Sequence, residues 1–138
     1  MQSLKYTRAR DQLEAEIAKR PDRIVLSSPL VGRWVNTDKG TRGIVQLVLS
    51  AKDGLLIVQA FGACSPIACD WGEVEGAVYS SGVDSELAVG FKASYDFQFM
   101  ETMLAAYLNK RILVVDSYNT FKDGSLRSRY FSRDHFHQ

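Results

Sequence analysis

The sequence has little of what most catalytic and metal sites are built from. Its two histidines, His135 and His137, flank Phe136 at the C-terminal tip, where a frayed end is expected. No Ser-His-Asp or Cys-His arrangement can be assembled around them. There are two cysteines, Cys64 and Cys69, with no second pair to complete a zinc shell. Their C-x4-C spacing is not that of a dithiol oxidoreductase. The first expectation for them is a pair of reduced thiols beside a loop. The second is a local disulfide closing the loop that contains Pro66. A charge excess is missing too: 17 Lys and Arg stand against 16 Asp and Glu, a net charge of +1. No overall field draws the chain to nucleic acid or to an anionic membrane. No apolar run approaches the roughly 18 residues that would span a bilayer. The stretch from Met1 to Arg8 lacks the apolar centre of a secretory signal. These absences lead to the expectation of a cytoplasmic protein, bacterial in style, with neither nucleic acid nor membrane as partner. Neither G-x-x-x-x-G-K-[ST] nor G-x-G-x-x-G occurs, and Gly40 and Gly43 make no phosphate loop. No cofactor or metal is expected.

What the chain does have is enough apolar material for one core. Its 138 residues are 46% apolar and 24% charged. That suits a single domain that needs no metal to fold. Residues 4–20 carry Leu13 and Ile17 four apart among charges, the spacing of a narrow amphipathic helix that Pro21 ends. The organisation expected is therefore an N-terminal helix over 1–22 and one β domain over 23–138.

Beyond Pro29 short apolar segments alternate with turn residues at spacings of roughly 8–14, the rhythm of a β-sandwich or barrel. The strands expected are 33–36, 44–50, 55–63, 73–79, 86–95, 97–108, 111–121 and 126–132. Asp53-Gly54 and Asp123-Gly124 are hairpin signals, because both residue types tolerate positive φ. Asn109-Lys110 is a third turn. The segment 97–108 also fits a helix, since Met100, Met103, Leu104, Tyr107 and Leu108 recur at helical spacing. The alternating Phe97 and Phe99, leading into the β-prone 112–115, favour a strand. Several strands are apolar on both faces, Leu55, Ile57 and Phe61 alternating with Leu56, Val58 and Ala60. The second face needs a cover, and a homodimer is the expected one.

At Gly32-Arg33-Trp34 the chain resembles the lipocalin/calycin superfamily. A G-x-W opens the first strand, after a short helix and before an up-and-down series of about eight strands. The resemblance implies an all-β, eight-stranded antiparallel up-and-down barrel, with Trp34 closing one end. It also implies an arginine from the last strand stacked across that tryptophan, and Arg129 is the favoured match.

An eight-stranded barrel is either filled by side chains or holds one small ligand. The aromatic residues assigned to an apolar pocket are Phe61, Trp71, Phe91, Tyr95, Phe99 and Tyr118. Leu87, Val89, Phe91, Ala93 and Tyr95 share the strand face expected to point inward. The functional expectation is a binding protein enclosing a small, mostly apolar ligand. Two alternatives stand beside it. An enzyme of cyclase, isomerase or hydratase type would use Glu101 or Asp116, which interrupt apolar strands and would gain a raised pKa if they pointed inward. A filled barrel would serve structure or protein interaction.

Overall fold

A computed structural model describes residues 25–138. The helix expected over residues 4–20, and with it the N-terminal unit 1–22, lies outside the described residues. Eight strands follow in chain order: β1 (Gly32–Asn36), β2 (Ile44–Lys52), β3 (Leu55–Gly62), β4 (Cys69–Ser80), β5 (Ala88–Asp96), β6 (Met100–Asn109), β7 (Ile112–Phe121) and β8 (Tyr130–His137). Each pairs antiparallel with the next, and β1 returns to β8, so the sheet closes into an up-and-down barrel. This is the all-β, eight-stranded architecture that the alternation and the G-x-W resemblance led to.

Local chemistry explains the joints. Asp53 and Gly54 take φ of 51° and 79°, the paired positive values of a hairpin turn that follows strand twist. Lys110, at φ 59°, turns β6 into β7. The segment 100–109 is a strand, not a helix. Thr102, Leu104 and Ala106 are buried at every second position, and the two-residue period wins because both flanking strands pair along its length.

Several bounds differ from expectation, most of all in β4 and β8, and β6 begins at Met100, which leaves Phe97–Phe99 as a turn. β4 starts at Cys69 rather than at 73, and β8 runs over Tyr130–His137 rather than 126–132. Asp123-Gly124 does not close a tight hairpin. The Asp123 carboxylate accepts the Ser125 N–H and holds the Arg127 guanidinium, which commits 122–129 to a longer loop. Phe136 is fully buried, so the C-terminal segment is a core strand and not a frayed end.

The barrel has two unlike ends. At the first lie the starts of β1, β3, β5 and β7 and the ends of β2, β4, β6 and β8. The lead-in across this end is tied to the start of β5 through a Leu26–Leu87 bridge. Leu30 and Trp34 are buried there, and the Trp34 indole Nε1–H donates to the Leu30 carbonyl at 2.9 Å. Below them Leu49, Leu56, Phe91, Leu113 and Phe136 fill the interior. Each such side chain contributes about 1.5–3 kcal/mol by leaving water. The second end carries the 37–43 turn, the 63–68 loop, the Phe97–Phe99 turn and the 122–129 loop.

Candidate functional site

Reading the interior positions toward the second end, apolar residues give way to polar ones on one side only. On β7 the inward sequence is Leu113, Val115, Ser117, Asn119, and on β6 it is Ala106, Leu104, Thr102. On β8 Phe136 gives way to Asp134 and Ser132. On the opposite side, β2, β3 and β4 bring Ile44, Gly62 and Trp71. Between the two walls lies a cavity of about 230 Å³, lined by Trp71, Thr102, Ser117, Asn119, Ser132 and Asp134, with Arg42 and Tyr130 also on its lining.

The polar wall is under-used by the protein itself. Thr102 donates its hydroxyl to Asn119 Oδ1 at 2.7 Å, which leaves the two Asn119 amide hydrogens. The side chains of Ser117, Ser132, Asp134 and Tyr130 make no protein hydrogen bond among the described residues. By contrast Asn36, buried in the same barrel, is satisfied. It donates to the Ile44 carbonyl and accepts the Asp38 N–H, each at 2.9 Å.

Trp71 is placed by a bulge. Gln59 pairs with Glu73, but Phe61 pairs with Asp70, so Trp71 and Gly72 form an excursion in β4 opposite Ala60. Bulges re-aim side chains in this way. Gly72 takes φ 88°, a conformation that a side chain would strain. The Tyr95 hydroxyl substitutes for the missing ladder partner: it accepts the Ala60 N–H at 3.0 Å and lies 2.8 Å from the Gly72 carbonyl, to which it donates. Tyr95 also meets the Trp71 ring edge-on at 5.5 Å, and Phe97 does so at 5.2 Å. A Cβ on Gly62 would stand 2.6 Å from Trp71 Nε1, so the indole rests directly on backbone. Burial pushes the Tyr95 phenol above its ordinary value, opposed by the Ala60 hydrogen bond and reinforced by Asp70 and Glu73.

Just before the bulge, Cys64 and Cys69 are joined in a disulfide. The first expectation of reduced thiols is thereby corrected in favour of the second. The chain reversal between β3 and β4 brings their Cα atoms to 5.5 Å, within bridging range. The bridge ties the loop two residues ahead of Trp71.

The residues assigned from sequence fall in different places. Of the six aromatics, Trp71 alone lines the cavity, and Tyr95 braces it from behind. Phe91 is inward but sealed in the apolar interior, whereas Leu87, expected on the same inward face, precedes β5 and is half-exposed. Phe61 and Tyr118 have outward parity, and Phe99 is 48% exposed in the β5–β6 turn. Neither carboxylate of the enzyme alternative faces inward. Glu101 is exposed beside inward Thr102. Asp116 sits between inward Val115 and Ser117, and outside the barrel it takes Arg133 in a two-pronged pair, Nε–Oδ1 2.7 Å and Nη2–Oδ2 2.9 Å. That guanidinium lowers the Asp116 pKa, the reverse of the shift an inward acid would have. Arg129 precedes β8 at the end opposite Trp34, because β8 runs antiparallel to β1 and reaches it only at Phe136 and His137. The arginine–tryptophan stack is not formed. The polar wall itself was overlooked, although the parity of 113, 115, 117 and 119 carries its signal.

No protein-family model, curated protein or solved structure matches this chain.

Proposed function

We propose that this barrel binds one small molecule at its second end. The observation that carries the reading is the set of polar side chains with unused hydrogen-bonding capacity facing a rigidly braced tryptophan across one cavity. The volume, about 230 Å³, lies below the roughly 300 Å³ at which drug-sized sites begin, so the ligand is of single-ring size. The polar wall argues against the mostly apolar ligand expected from composition, since such a ligand would strip these groups of hydrogen bonds. The Cys64–Cys69 bridge supports an oxidising location over the cytoplasmic expectation. Native mass spectrometry of protein purified from its host tests the reading. One retained small molecule is expected, and it should be lost in Trp71→Ala while circular dichroism keeps its strand signature. Host protein of apo mass, with no small molecule shifting the Trp71 indole in a screen, would overturn it.

A second reading concerns the outer face of β6–β8. Tyr107, Tyr118 and Phe131 are each between 43% and 51% exposed there, and the Tyr118 and Phe131 rings lie 5.2 Å apart. The Asp116–Arg133 pair sits in the same patch with its charges spent on each other, so a two-fold copy would meet mainly aromatic surface there. This supports a homodimer in which each barrel keeps its own cavity. Light scattering on wild type and Phe131→Ser separates the cases: a dimer that the variant converts to monomer supports self-association, and a monomeric wild type removes it.

A further inference from the structure

We infer that the ligand of the second end is a polyhydroxylated ring of monosaccharide size, seated with a C–H face on Trp71 and its hydroxyls on the β6–β8 wall. This rests on the reading of that end as a ligand site and adds the chemical class.

The first ground is geometry. In a closed eight-stranded order β4 and β8 lie four strands apart, on opposite sides of the barrel. Trp71 comes from β4, and Ser132 and Asp134 from β8, so a ring entering the cavity meets an apolar plane on one side and hydrogen-bonding groups on the other. Tyr95 and Phe97 hold the indole edge-on, which makes it a fixed wall.

The second ground is the kind of hydrogen bond on offer. Asn119 presents amide donors, Asp134 accepts only, and Ser117 and Ser132 do both. A ligand hydroxyl, at once donor and acceptor, pairs with all three kinds. An aliphatic ligand pairs with none. An anion meets Asp134, and a cation leaves the Asn119 donors idle and meets Arg42 on the lining. A ligand entering a polar space must also reproduce the hydrogen bonds of the water it displaces, which several hydroxyls around one ring can do. A nucleobase would use Trp71 equally well, but its hydrogen-bonding groups lie in one plane and engage only a strip of the wall.

The test is a titration of the full chain, labelled for amide and indole NMR signals. The probes are glucose, galactose, mannose and N-acetylglucosamine, with adenine and decanoate as rivals. At least one sugar is expected to shift, saturably, the Trp71 indole and the amides of 117–119 and 132–134, leaving the Trp34 indole unmoved. Affinity for it should fall about tenfold or more in Asp134→Ala, the loss of one hydrogen bond to a charged acceptor. Ser132→Ala should weaken it less, and it guards against a folding defect in the first variant. Saturation by adenine or decanoate with none by any sugar overturns the class and leaves small-molecule binding standing. Silence from every probe also overturns the class, while small-molecule binding falls only if host-purified protein carries no adduct.

Discussion

Trp34 enters the barrel from β1 at one end and Trp71 from β4 at the other, and their surroundings differ in kind. Trp34 is 3% exposed, its one donor is spent on the Leu30 carbonyl, and beneath it the interior is apolar on all sides. Trp71 is half-buried, stands on a backbone bulge, and faces hydroxyls, an amide and a carboxylate. One end of the barrel stabilises the fold and the other leaves hydrogen-bonding capacity for something else. The comparison breaks if the two tryptophans prove interchangeable in their effect on stability. Trp34→Ala is expected to cost about 3–5 kcal/mol, the range for a large aromatic removed from a packed core. Trp71→Ala should cost clearly less, since its ring is already partly in solvent. Urea midpoints of the two variants check this, and equal losses would mean that the second end is packed as tightly as the first.

The second end still needs one strong internal contact, the Tyr95 hydroxyl that stands in for a ladder partner of Ala60. Tyr95→Phe leaves that N–H unpaired in a buried place, a loss of about 1–3 kcal/mol. The same hydroxyl gives a pH signature. Its folded pKa is raised above the ordinary value of about 10. Its contribution is therefore complete below about pH 10 and is lost as pH rises through the higher folded value. Urea midpoints measured from neutral to strongly alkaline pH should fall more in wild type than in Tyr95→Phe. Parallel curves would show that Tyr95 does not hold the bulge.

How much of this was legible in the sequence follows the same division. The closed end was legible because apolar alternation, Asp53-Gly54 and the tryptophan after Gly32 are local signals with direct backbone consequences. Most of the segment 97–108 was readable as strand despite its helical spacing, because β-prone neighbours on both sides offered it ladders, while Phe97–Phe99 turn the chain ahead of it. The second end was obscured for a physical reason. Ser117, Asn119, Ser132 and Asp134 look like residues of a solvated face, and only the closure of the sheet turns their parity inward. Aromatic content points instead to Phe61 and Tyr118, which closure turns outward, and to Phe99, which falls in a turn. The register of β8 depended on Phe136, a single buried ring between two histidines, and on a loop set by the Asp123, Ser125 and Arg127 side chains.

The outer face offers a charged contact against which both ends can be measured. Asp116 and Arg133 form a two-pronged pair in which Arg133 is half-exposed and the Asp116 carboxylate is nearly buried, so Arg133→Ala should lower the urea midpoint by leaving that carboxylate without its partner. The sign of its pH dependence is opposite to that of Tyr95. The folded Asp116 pKa lies below the ordinary carboxylate value of about 3.9. The contribution is present above that value and disappears as pH falls through the lower folded one. Stability profiles of wild type and Arg133→Ala should therefore converge below about pH 4. Persistent separation in acid would show that Arg133 acts by packing on Phe131, 5.9 Å away, rather than by charge.

The smallest effect is the sharpest test of the difference between the ends. Asp134 lies on an inward-facing row of β8, two residues from fully buried Phe136. If the second end served the fold, a carboxylate on that row would be held by partners, and Asp134→Asn would leave them unpaired at a cost above 1 kcal/mol. Asp134 has no protein hydrogen bond among the described residues, so the exchange should move stability by less than about 0.5 kcal/mol, as at a surface position. The volume is nearly unchanged and the ring wall is untouched, so a ligand titration of the same variant reads the loss of the charged acceptor alone. A near-zero change in urea midpoint together with weakened binding would separate what holds the barrel from what the barrel holds. A large change in midpoint would place Asp134 in the fold's own hydrogen-bond network and make the two ends alike.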